Sequence, residues 1–144
     1  MSESSHIFTV FSKSLQIGNI IEYVPWPPEP TSNQSESSLD CGGEYNSSSG
    51  IIRHPLGGGN YQNNENCTWI ISAAKYITIT FVSFDTQTRR DYLYVRDGQS
   101  MSSAVIGIFS GTRVPSSVPG PVKTTTTSAH LHFTTDYTET RTGF

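Results

Sequence analysis

Residues 41–69 read CGGEYNSSSGIIRHPLGGGNYQNNENCTW, and this stretch organises the chain. It holds both cysteines, a glycine triplet and two Asn-x-Ser/Thr sequons. Two cysteines allow a single pair. A Cys41–Cys67 bridge would close a loop of 26 residues, worth roughly 3–4 kcal/mol in the chain-entropy picture, less any native strain. The alternative is two free buried thiols in a reducing compartment. The sequons Asn33-Gln34-Ser35, Asn46-Ser47-Ser48 and Asn66-Cys67-Thr68 favour the oxidised reading. They predict N-linked glycans on Asn33, Asn46 and Asn66 of a secreted or cell-surface protein.

The totals agree with that compartment. Only 15% of residues are charged, the formal net charge is -3, and the nine basic residues are scattered. No basic stripe marks a nucleic acid or an anionic membrane as partner. No run reaches transmembrane length, so membrane insertion is not expected. The N-terminal MSESSHIFTVFSKS lacks the basic-then-apolar pattern of a signal peptide. For a secreted protein, that implies a start after processing or inside a longer chain; otherwise the compartment is different.

Outward from the central stretch the chain divides into an arm (1–24), a Pro/Ser-rich linker (25–40) and one strand-rich domain (41–144). In the arm, His6 to Ser12 is rich in β-branched and aromatic residues. Leu15 to Val24 carries a Gly18-Asn19 hairpin signal. The linker opens with Pro25-Trp26-Pro27-Pro28-Glu29-Pro30, an extended spacer that also fits a proline-recognition groove. After Cys41, strands are predicted at 50–53, 67–71, 76–82, 91–96, 104–109 and 130–134, with Gly and Pro turns between them. Alternation puts Ile77, Ile79 and Phe81 on one face. The pattern is that of an all-β sandwich. Thr124 to Thr127 reads as a loop or strand edge, with O-glycosylation as a further option.

In this order the residues resemble a CUB domain over 41–144. The parts are Cys41-Gly42-Gly43, Gly50-Ile51-Ile52 before a proline, Asn66-Cys67-Thr68-Trp69-Ile70-Ile71, and the run from Ile77 to Phe84-Asp85. Then come Asp91-Tyr92-Leu93-Tyr94-Val95-Arg96-Asp97-Gly98, Gly107-Ile108-Phe109-Ser110-Gly111, and Asp136 to Gly143-Phe144. The resemblance implies a CUB-like antiparallel β-sandwich that binds or assembles proteins and carries no catalytic residues. It implies a second disulfide that this chain lacks, since Arg89-Arg90 and Ser110 stand at its positions. That end is then expected to be held by packing alone. It also implies a calcium site at Gln87, Asp91 and Asp136, with Gln87 where the family has Glu. Calcium accepts amide carbonyls, but the lost charge predicts weaker binding. Ion pairing with Arg89, Arg90 or Arg141 is the alternative role for the two aspartates.

The family pattern continues past Gly-Phe into a final strand. Either the sequence is cut short before that strand, or the arm, which carries a spare strand, fills its place in its own domain or in a neighbouring copy. Donation to a neighbour predicts a homo-oligomer or filament, anchored by Ile7, Phe8, Val10 and Phe11, with Trp26 across the junction. The alternative function is a calcium-dependent ligand-recognition module of a multidomain protein. A carbohydrate-binding module rests only on Tyr45, Tyr61 and Tyr92 as exposed aromatics. His130 and His132 share a strand face but lack a third metal ligand, for which only His54 or His6 is available. Neither a phosphate loop nor a nucleophile elbow is present, so no enzyme is expected.

Overall fold

The computed structural model describes residues 6–11, 41–113 and 121–144. The expected hairpin at 15–24, Trp26 and the Asn33 sequon lie outside the described residues. Among the described residues every regular element is a strand. The strands are β1 (His6–Phe11), β2 (Gly43–Tyr45), β3 (Ser49–Arg53), β4 (Asn66–Ser72), β5 (Ile77–Phe81) and β6 (Phe84–Asp85). They continue as β7 (Tyr92–Asp97), β8 (Ala104–Phe109), β9 (Thr112–Arg113), β10 (Val122–Lys123) and β11 (Ser128–Thr134). All six segments predicted in 41–144 are present within two residues. The two-residue strands β6, β9 and β10 were not predicted, because so short a run carries no periodicity.

Two sheets form the sandwich. The first has the order β10-β5-β1-β3, and the second β2-β4-β11-β7-β8; β6 and β9 pair separately. The second sheet is antiparallel except at β2, which runs parallel to β4. β1 lies inside the first sheet, parallel to both β3 and β5 of its own chain. A long connection permits such parallel pairing, whereas a tight turn does not. The register places His6, Phe8 and Val10 opposite Ile77, Ile79 and Phe81, and Ile7 and Thr9 opposite Thr78 and Thr80. Among the described residues β3 has no other partner in this sheet.

The core sits between the sheets and follows the period-2 pattern. Cys67, Trp69 and Ile71 of β4, Ile77, Ile79 and Phe81 of β5, and Leu131 and Phe133 of β11 are all buried. At one end an aromatic cluster closes the sandwich. Phe144 stacks on Phe84 at 5.8 Å and meets Phe133 and Trp69 edge-on. Its backbone exchanges two hydrogen bonds with His54, at 2.6 and 2.9 Å. Gly143 has φ 77°, and a Cβ there would lie 2.0 Å from the His54 carbonyl oxygen. Only glycine allows the two segments to pair so closely.

The end without a second disulfide is not held by packing alone, contrary to expectation. Ser110 Oγ accepts from the Arg89 amide at 2.8 Å and donates to the Gln87 carbonyl at 3.1 Å. Thr86 Oγ accepts from the Gly111 amide at 3.0 Å, and the Thr86 amide donates to the Gly111 carbonyl at 3.2 Å. Hydrogen bonds thus join the segments that a covalent bridge would have joined. We expect Ser110→Ala to cost about 1 kcal/mol in denaturant unfolding. Hydrogen exchange at Arg89 should accelerate; unchanged exchange there would show that Ser110 holds nothing.

The threonine run is a loop, and Asp97 holds it. Its two oxygens accept from the amides and hydroxyls of Thr125 and Thr126 at 2.6 to 2.9 Å. Burial works to raise the Asp97 carboxyl, but these four bonds together outweigh it and hold the group well below the usual carboxylate range. On the outer face of the second sheet, burial first and Arg96 second lower His130 and His132. The signs then agree. A histidine kept neutral by the fold contributes stability above its unfolded pKa of about 6.5, and that contribution is lost as pH falls. The Asp97 contribution is complete above about pH 4 and is lost as pH falls towards the folded value. Thermal unfolding should therefore show stability falling below about pH 6.5 and again below about pH 4. Asp97→Ala should cost roughly 1–2 kcal/mol at neutral pH after allowance for solvent screening, and flatten the lower step.

Candidate calcium and partner-docking site

The loops after β6 and β11 converge on the side chain that opens β7. Asp91 is completely buried. A buried carboxylate requires donors, and two are provided. Tyr61 donates its hydroxyl to Oδ2 at 2.5 Å, and the Asp136 amide donates to Oδ1 at 2.9 Å. The Tyr61 oxygen also accepts from the Gln87 amide at 2.9 Å. Burial first, and then the bond to Asp91, push the Tyr61 phenol far above its ordinary value. It therefore remains a donor throughout the physiological range.

Asp136 lies over this pair. Its Oδ1 accepts from the amide and hydroxyl of Thr138, both at 2.8 Å. Its Oδ2 is buried and has no hydrogen-bond partner. Arg90 approaches it only to 3.9 Å, with a largely exposed side chain. Turning the Gln87 amide brings its nitrogen to 3.1 Å from Asp136 Oδ1 and to 3.2 Å from the Thr138 carbonyl. In the other orientation that nitrogen faces the Glu139 carboxylate at 3.4 Å. Glu139 also pairs with Arg141.

The three expected ligand residues are thus neighbours in space. The oxygens suit a hard cation: two aspartates, an amide carbonyl that can rotate inward, and a third carboxyl group, that of Glu139, close by. The orphaned Oδ2 of Asp136 is the acceptor that such an ion would satisfy. Sequence reasoning missed Glu139 because its carboxylate reaches the site only through the turn after Asp136. It also missed Tyr61. The carbohydrate reading took Tyr61 as an exposed aromatic, but it is 1% exposed and packs edge-on to Phe133.

Other expected residues fall as follows. Cys41 and Cys67 form a disulfide with Cα atoms 5.2 Å apart. Asn46 and Asn66 are exposed. Ile7, Phe8, Val10 and Phe11 lie in β1. His130 and His132 acquire no third ligand from His54. That ring lies in the core, 5.5 Å from both Trp69 and Phe133, with Nε2 bonded to Glu65 at 2.5 Å. His54, Glu65 and Cys67 come within metal-binding distance of one another, but the Cys67 sulfur is already in the disulfide. Among the described residues no helix is long and apolar enough to cross a membrane.

The profile of the CUB domain family matches residues 41–144. Cubilin of Rattus norvegicus is 37% identical over 117 residues, which cover 76% of this chain and 3% of cubilin. Bone morphogenetic protein 1 of Xenopus laevis is 32% identical over 110 residues, covering 72% of this chain and 15% of that protein. The chain therefore spans a small part of the relatives it matches, which are extracellular or cell-surface proteins. Two solved structures share the fold. The full extracellular region of zebrafish Gpr126/Adgrg6 aligns with a TM-score of 0.60 at 20% identity, over 74% of this chain and 14% of that one. The CUB1-EGF-CUB2 region of human MASP-1/3 aligns with a TM-score of 0.58 at 19% identity, over 73% and 40% respectively. By its ordered motifs, its sandwich and these relatives, the chain belongs to the CUB domain family.

Proposed function

We propose that this chain is a non-catalytic, extracellular protein-interaction module that recognises its partner through a calcium-ordered acidic loop end. The observation that carries the reading is the buried Asp136 Oδ2, which lacks a hydrogen-bond partner on a residue whose amide reaches Asp91 and whose Oδ1 lies beside Gln87. Asp91, Asp136 and the Gln87 carbonyl would hold the ion, and Glu139 would restore the charge that glutamine removes. Bound calcium would fix the two loops and leave carboxylate oxygens facing outward. Such a surface suits a lysine or arginine of a partner protein. We expect millimolar calcium to raise the melting temperature by several degrees through preferential binding to the folded state. Asp136→Ala should remove the shift, Glu139→Gln should weaken it and Gln87→Glu should strengthen it. No calcium shift in the wild-type chain would sink this reading.

A second reading is assembly of copies by exchange of β1, leading to a homo-oligomer or filament. It is favoured by one observation: among the described residues β3 pairs in the first sheet with β1 alone, so a strand of the arm supplies an interior position. A neighbour's β1 would make the same backbone bonds. We expect light scattering to show large particles that resist dilution, and deletion of residues 1–13 to leave a less stable monomer. Polymers that survive the deletion would exclude strand exchange.

A further inference from the structure

The second sheet has an outer face that neither the loop end nor the core explains. Its residues alternate with the buried ones. By strand alternation Asn66 and Thr68 of β4, His130, His132 and Thr134 of β11, and Tyr92 and Tyr94 of β7 lie on this face, His130 and His132 being covered by their neighbours. The register sets them in rows. Thr134 opposes both Asn66 and Tyr92, and His132 opposes both Thr68 and Tyr94. The rings form a continuous ledge: Tyr92 lies 6.0 Å from Tyr94, and Tyr94 stacks on His132 at 6.0 Å.

Asn66 stands at the rim of this ledge and opens the sequon Asn66-Cys67-Thr68. His132, itself buried, bonds through Nε2 to Asn66 Oδ1 at 2.6 Å. The ring nitrogen donates, because the amide oxygen can only accept. That bond fixes the amide by its oxygen. No hydrogen bond engages its nitrogen among the described residues, and the residue is exposed. The atom that a glycan requires is therefore the free one, while the other atom is anchored.

We propose that Asn66 carries an N-linked glycan whose first sugars lie on the half-exposed Tyr92 and Tyr94 and cover this face of the sheet. In the transfer, Asn66 Nδ2 forms a bond to the anomeric carbon of a polyprenyl-diphosphate oligosaccharide. The carbon–oxygen bond to phosphate breaks, the diphosphate leaves with the electron pair, and the amide nitrogen gives up one proton. Tyr92 is two strand spacings from Asn66, about 10 Å, which the chitobiose core can cross. Sugar rings present apolar C–H faces, and half-exposed tyrosines offer flat rings to receive them. Asn46 has no such seat, since serines and alanines line the hollow beside it. With the sheet face covered, a protein partner is left the loop end. This inference rests on the extracellular placement proposed above.

The experiment is expression of the full chain behind a secretory leader in cultured eukaryotic cells, followed by peptide mass mapping and thermal melting. The expected result is an occupied Asn66. Asn66→Gln should lower the melting temperature by several degrees, whereas Asn46→Gln should leave it unchanged. Tyr92→Thr should lower it by a similar amount in the glycosylated protein and add little in the Asn66→Gln background. Enzymatic trimming of the folded protein to a single sugar per site avoids any failure of variants to fold, and it should remove most of the stabilisation that Asn66→Gln removes, because one sugar does not span the two strand spacings to Tyr92. An empty Asn66 in secreted protein with an intact Cys41–Cys67 bridge would overturn the proposal and leave the extracellular reading standing. Secreted protein with both thiols reduced would overturn both. An occupied Asn66 whose loss costs no more than that of Asn46 would remove the ledge from the account.

Discussion

The bond from Tyr61 to the buried carboxylate of Asp91 links the two halves of this molecule's physics. An ionised group removed from water is tolerated only when donors replace the water. Tyr61 can be such a donor because its ring is fixed against Phe133 in the aromatic cluster. The cluster thus positions the hydroxyl, the hydroxyl positions Asp91, and Asp91 receives the amide of Asp136. Packing at the sandwich end and electrostatics of the loop end are therefore one arrangement. A loosened core at Phe144 or Phe133 would be felt by the acidic loops before the sheets came apart.

The same end shows how a covalent tie is replaced. Ser110 and Thr86 connect the β6–β7 loop to the β8–β9 turn by four hydrogen bonds, three between a side chain and the backbone and one between backbone groups. Such bonds are individually weak, about 1 kcal/mol each, and unlike a disulfide they leave the unfolded chain unrestrained. They do hold the native loop geometry, which is what the Gln87 and Asp91 side chains need. The single disulfide, Cys41–Cys67, does its work elsewhere. It ties the segment before β2 to β4, beside the Trp69 side of the core.

The two outer surfaces differ in character. The loop end leaves a buried carboxylate oxygen without a donor, and the outer face of the second sheet gathers rings and unbonded donors. Arg96, buried on that face, leaves its Nε and Nη1 unbonded. A glycan over the ledge and a partner at the loops would divide these surfaces between a cover and a contact.

Much of the fold was legible in the sequence. The alternation of Ile77, Ile79 and Phe81, and of Cys67, Trp69 and Ile71, names core faces because strand periodicity is local. The ordered motifs from Cys41 to Phe144 named the family. The Asp91, Asp136 and Gln87 neighbourhood was legible only through that resemblance, since nothing in the spacing of three polar residues draws them together. What the tertiary structure alone decided were long-range matters. Tyr61 became a buried hydroxyl donor, not an exposed ring, because Phe133 of β11 packs on its ring and Asp91 and Gln87 of the loop before β7 take up its hydroxyl. His54 turned from a spare metal ligand into a core partner of Glu65. Glu139 came within reach of Gln87, Asp97 captured a threonine loop, and His132 captured the amide of Asn66. Each joins residues far apart in the chain, and a hydrogen bond depends on where folded strands bring two atoms, which no local pattern records.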